Sequence, residues 1–137
     1  MLKRLRSLRK RRKSGAVGEV DELLSLARAS FLQMQAAWDR ADLRTLGLLA
    51  TGPLLEELRC QLQERGPAPN HTEVVSLQAR LLSMDDLSEA QVASVEFSGL
   101  IQEDPAAAAA PFRELWLLAN VKAADEGWKL ARVQALT

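Results

Sequence analysis

The apolar residues of this chain change period part-way along it, from about 3.6 in residues 21–66 to 2 from Val75 onward, and that switch limits the fold more than any other feature. In the first stretch Leu24, Ala27, Phe31, Met34 and Trp38 recur at helical spacing behind the acidic pair Asp21-Glu22, which suits the electropositive first turn of a helix. Asp42 is placed to cap a second, shorter helix that carries Leu43, Leu46 and Leu49 and stops at Thr51-Gly52-Pro53. A third helix starts there, lines up Leu55, Leu58 and Leu62, and ends at Gly66, because the prolines that follow cannot continue it.

Alternation then takes over. Val75, Leu77, Ala79 and Leu81 against Ser76, Gln78 and Arg80 predict a first strand, turned by Asp85-Asp86. Ala93, Val95, Phe97 and Gly99 predict a second, and Asp104 to Pro111 reads as a loop whose bracketed alanines are too few for a stable helix. Phe112 to Lys122 and Trp128 to Leu136 complete the set across the turn Ala124-Asp125-Glu126-Gly127. Helices followed by strands give an α+β class: three N-terminal helices packed on a curved four-stranded antiparallel sheet, with Phe31 and Trp38 meeting its inner face. At 137 residues one such domain can bury a real core.

Charge divides the chain differently. Eight of its 18 basic residues are Lys3, Arg4, Arg6, Arg9, Lys10, Arg11, Arg12 and Lys13, whereas all 18 acidic residues lie beyond them. The remaining ten Lys and Arg leave the body at minus eight, so the formal zero is the sum of two opposite parts. Residues 1–20 are therefore expected to be a basic arm and hinge, and 21–137 the folded domain. Leu2, Leu5 and Leu8 give the arm a short amphipathic pattern, but an isolated helix of that length is marginal in water, so the arm is expected to order only against an anionic partner, with Ser14–Gly18 as its hinge.

The arm points to adhesion on an anionic membrane surface, where each basic residue contributes roughly 1 kcal/mol and leucines can insert at the interface. Nucleic acid or a ribosome is the alternative partner, although the arm carries no aromatic side chain for base stacking. A solvated tail is the plain reading. No apolar run reaches the roughly 20 residues that span a bilayer, and Ser14-Gly15-Ala16-Val17-Gly18 stands where a secretory signal would need its apolar segment. An intracellular protein at a membrane surface or in the cytoplasm is expected.

Chemistry is sparse. Cys60 has no partner for a disulfide, and with a single His71 it cannot complete a four-ligand zinc site, so no metal or cofactor is expected. Asn70-His71-Thr72 fits a glycosylation acceptor, a pattern that matters only in a secretory compartment. Adjacent carboxylates such as Glu56-Glu57 and Asp85-Asp86 read as solubilising charge, and His71 as a solvated turn residue. Phe31, Met34, Trp38, Phe97, Trp116 and Trp128 either fill the core or line an apolar pocket, and Glu114 shares strand parity with Phe112 and Trp116. An isomerase on such a cone would need a carboxylate working with a tyrosine, and the chain has no tyrosine. No catalytic set emerges.

The run Phe31-Leu32-Gln33-Met34-Gln35-Ala36-Ala37-Trp38-Asp39-Arg40-Ala41-Asp42-Leu43 resembles the Tim44-like domain family. The likeness continues through Leu54-Leu55-Glu56-Glu57-Leu58, Asn70 to Val75, Val95 to Ile101, Glu114-Leu115-Trp116 and Trp128 to Ala131, covering about residues 21 to 136. This resemblance implies a nuclear transport factor two-like cone and is nearest the bacterial branch, whose members are usually membrane-associated. It also implies a non-enzymatic scaffold that binds a protein or lipid partner. In the mitochondrial branch the domain belongs to an inner-membrane import motor, and another branch is a protein of the mitochondrial large ribosomal subunit. Bacterial relatives commonly place a hydrophobic anchor and a glycine-rich linker before the domain; here the basic arm precedes it, which favours peripheral attachment.

Overall fold

In the computed structural model, residues 2–68 and 70–136 are described, with side chains from Gly18 onward. The elements run α1 (Leu2–Arg40), α2 (Leu43–Leu49), α3 (Gly52–Arg65), β1 (Glu73–Asp86), β2 (Ala90–Gln102), β3 (Ala110–Val121) and β4 (Trp128–Leu136). The strands pair antiparallel in the order β1-β2-β3-β4, the meander that short connections favour.

Helix α1 is longer than its sequence predicts. The expected hinge at Ser14–Gly18 lies within the 39-residue helix Leu2–Arg40, which also takes in the basic residues before it. Two glycines cost about 1 kcal/mol each relative to alanine, but extending a helix already docked through Leu23 and Ala27 avoids the cost of nucleating a new one. The side chains of Lys3 to Lys13 lie outside the described residues.

Helix α2 begins as Asp42 predicts. Its carboxylate accepts the Thr45 N–H at 3.1 Å and the Thr45 hydroxyl at 2.7 Å. These bonds, with a smaller contribution from Arg40, hold the Asp42 carboxyl below its ordinary value. Helix α3 ends at Gly66, whose φ of 84° lets its N–H reach Leu62 O. Its buried face uses Leu54 and Leu62, with Leu55 and Leu58 partly buried against the core. The α2–α3 junction is fastened to the sheet where Thr51 N–H donates to Leu130 O at 2.8 Å. At the other side of the helical layer Asp39 accepts Thr72 N–H at 2.7 Å and the Thr72 hydroxyl at 3.0 Å, joining the end of α1 to the start of the sheet.

Strand β1 departs from simple alternation twice. Val75 and Leu82 are each the extra residue of a β-bulge against β2, and they are 52% and 47% exposed. Val74, not Val75, therefore packs against the core beside Leu77, Ala79 and Leu81, because a bulge reverses side-chain parity. Asp85 and Asp86 also belong to β1, so the turn falls at residues 87–89 instead of on that acidic pair. A third bulge leaves Ala131 unpaired on β4 opposite Leu117 and Leu118 of β3. These irregularities go with the curvature that lets the sheet wrap α1.

The core lies between α1 and the concave face. Phe31 is fully buried, with ring centroids 4.8 Å from Phe97, 5.2 Å from Trp116 and 5.5 Å from Phe112. Phe97 meets Trp116 edge-on at 4.9 Å. Such pairs add roughly 0.5–1.5 kcal/mol each beyond the area they bury.

Candidate functional site

Beside this aromatic cluster the end of α1, the start of α3 and strands β3 and β4 leave a cavity of about 330 Å³. Met34 and Trp38 enter from α1, Leu54 and Leu58 from α3, Glu114 and Trp116 from β3 and Val133 from β4. Four of the residues singled out in the sequence, Met34, Trp38, Glu114 and Trp116, are thus brought together. Phe31 and Phe97 are not lining residues; they are packed solid behind the cavity, as their burial requires.

Trp128 is elsewhere. It pairs with Asn120, four residues along β3 from Trp116 and so about 13 Å away along the strand. There it lines a separate hollow of about 280 Å³ with Glu19, Glu22 and Leu26 of α1. Parity places Trp128 and Trp116 on one face but says nothing of their height on it.

Glu114 is the polar centre of the cavity. Its Oε1 accepts the Trp116 indole N–H at 3.0 Å, which fixes both side chains on one strand. Loss of hydration pushes its carboxyl above the ordinary value; the indole hydrogen bond opposes this and the nearby Glu103 charge adds to it. The walls also hold Gln35, Gln61 and Glu57 but no lysine, arginine or histidine. Arg65 stands next to the cavity without lining it: its guanidinium lies 5.3 Å from the Trp38 ring centroid and Nη1 donates to Trp38 O. The contributions of α3 and β4 were not visible in the sequence, because which leucines of α3 face the sheet depends on how the helix docks.

A wider groove of about 590 Å³ runs between α1 and β1, lined by Leu32, Asp39, Asn70 and His71 among others. His71 is exposed there, as a solvated turn residue would be. Among the described residues no group of three or more acidic, histidine or cysteine side chains is placed to hold a metal ion. No helix among them is long and apolar enough to cross a membrane.

A sequence profile of the Tim44-like domain matches residues 8–135. The chain belongs to the Tim44-like domain family. Its fold is α+β, three helices on a curved four-stranded antiparallel sheet. No curated protein matches it. Among solved structures it is similar to the intermembrane space region of the chloroplast protein ARC6, at 13% identity and a TM-score of 0.56, covering 83% of this chain and 96% of that one. That likeness concerns the fold. A ketosteroid isomerase-like protein from Erwinia carotovora atroseptica aligns over the same shares at 14% identity, but its TM-score of 0.42 carries no argument. Tim44-like domains are, as a class, non-enzymatic, membrane-associated protein-interaction domains.

Proposed function

We propose that this Tim44-like domain is a non-enzymatic scaffold at the cytoplasmic face of a bacterial inner membrane. The arm Lys3–Lys13 adheres to anionic lipid, and the cone engages a protein or lipid partner through the cavity beside Trp38 and Glu114. The observation that carries this reading is the partition of charge: eight basic residues at one end of α1 and a net charge of minus eight on everything after them.

The geometry of α1 supports the division of labour. Lys13 precedes Leu23, the first buried residue among those whose side chains are described, by ten positions, or about 15 Å of helix. That is nearly two Debye lengths at physiological salt, so an arm lying on anionic lipid would feel the surface while the acidic cone stands largely screened from it. Eight basic residues at roughly 1 kcal/mol each suffice for adhesion without a spanning segment.

Sedimentation with vesicles tests it. The full chain should pellet with phosphatidylglycerol-containing vesicles and not with neutral phosphatidylcholine, and removal of residues 2–13 should abolish the difference. Equal pelleting with both lipids sinks the reading, as would detergent-resistant, salt-sensitive cosedimentation with ribosomal particles, which would assign the arm to RNA.

A further inference from the structure

We infer that the cavity between α1, α3 and β3 takes a primary ammonium group carried on an apolar stem, with Glu114 as the counter-ion and Trp38, Met34 and Leu58 around the stem. This rests on the reading of the cone as the partner-binding unit and names the chemistry of what it binds.

Three observations converge. The first is the charge of the walls. Both ionisable side chains that line the cavity, Glu114 and Glu57, are acidic. An anionic ligand would meet carboxylates and no cation on the walls; Arg65 gives Nη1 to the Trp38 carbonyl, keeps a buried Nε without a partner, and does not line the cavity. A cation is the matching sign.

The second is the unfinished hydrogen bonding of Glu114. Trp116 satisfies Oε1, while Oε2 meets no protein donor among the described residues and is left open to solvent at the cavity, where a ligand donor can replace water. Glu114 is partly buried, and its raised proton affinity reports that the site gives its negative charge less support than water does. An ammonium delivers both a donor and a compensating charge to that oxygen. An alcohol delivers only the donor, and a carboxylate neither.

The third is the shape and chemistry of the remainder. A volume of about 330 Å³ with Met34, Trp38, Leu54 and Leu58 on its walls offers apolar contact to a stem of several methylenes, and each methylene buried there is worth up to roughly 0.8 kcal/mol. The indoles of Trp38 and Trp116 offer π faces and edges along the path, which favours a cation again. A lysine side chain of a partner polypeptide and a free alkylamine share this chemistry.

Indole NMR of the 15N-labelled full chain separates the alternatives, because its three tryptophans give three indole N–H signals and Trp128 is remote from the cavity. Hexylammonium, hexanol and hexanoate present one stem with three charges. The inference expects hexylammonium to shift the Trp116 and Trp38 signals with about tenfold or greater preference over hexanol, hexanoate to bind most weakly, and Trp128 to stay in place. Glu114→Gln should bring hexylammonium down to the affinity of hexanol while leaving hexanol unchanged. A peptide of residues 2–13, whose lysines carry ammonium on four-carbon stems, then tells the sources apart. Displacement of hexylammonium from the cavity assigns the site to a polypeptide lysine, and hexylammonium binding without displacement assigns it to a free amine. Equal affinity across the three stems overturns the inference, as does a preference that survives Glu114→Gln. Because the charge series is read on the unsubstituted chain, the outcome does not hang on the variant folding. Vesicle sedimentation reads the arm and not the cavity, so failure of one proposal is distinguishable from failure of the other.

Discussion

Phe31 on α1 and Trp116 on β3 stack with ring centroids 5.2 Å apart and planes inclined by 29°, and this contact joins the helical layer to the middle of the sheet. Phe31 also touches Phe97 and Phe112, so its removal opens a void that neither layer can close alone. Phe31→Ala should lower unfolding free energy by about 3–5 kcal/mol in urea titration, and Phe112→Ala, only partly buried, by roughly half as much. Equal losses at the two positions would show that the cluster is not centred on Phe31.

Gly99 has a φ of 153°, and a Cβ built there would stand 2.1 Å from Ser76 O. The close approach occurs beside the β1 bulge at Val75, where Ser76 Oγ accepts the Leu100 N–H at 3.1 Å. Backbone oxygen cannot move aside as a side-chain tip can. Gly99→Ala should therefore cost about 3 kcal/mol, combining backbone strain with overpacking, and be read as a shift of the thermal midpoint. An unchanged midpoint would mean that the bulge rearranges freely.

Glu114 makes stability depend on pH. Its folded carboxyl is held above the ordinary value of 4.5, so the folded state binds this proton more tightly than the unfolded chain does. The stabilisation is complete below the unfolded value and is lost as pH rises through the folded one. Burial comes first among the causes, and the like charge of Glu103 after β2 adds to it. Glu114→Gln keeps an acceptor for the Trp116 indole and removes the titration. Its stability relative to the unsubstituted chain should rise as pH increases above 4.5 in paired urea titrations; a constant difference would contradict the sign.

Arg65 ties the last turn of α3 to the last turn of α1 through the carbonyl and ring of Trp38. A guanidinium can donate to the one while lying over the other, which a lysine ammonium cannot do with the same geometry. Arg65→Ala should cost about 2 kcal/mol and Arg65→Lys about 1, measured by chemical denaturation, with increased hydrogen exchange at residues 38–41 in both.

Local signals were legible in proportion to how locally they act. Asp42 capped α2 because the cap needs only the Thr45 amide and hydroxyl nearby, and Gly66 ended α3 because a positive φ is cheapest without a Cβ. Trp128 to Leu136, expected as a strand after the turn, form β4 over that span. Alternation failed at Val75, where a bulge decided by pairing with β2 turned Val74 inward instead. It also gave Trp128 its face but not its distance from Trp116.

The order of helices and strands, the family and the separation of basic from acidic charge were readable along the chain, since period, caps and charge are properties of neighbouring residues. Tertiary structure alone decided that α1 runs unbroken through Ser14–Gly18, which aromatics fill the core and which wall the cavity, and that Leu54, Leu58 and Val133 join Glu114 there. Those outcomes depend on how a helix seats on a curved sheet. The contacts concerned connect residues far apart in the chain, and no local pattern encodes that docking.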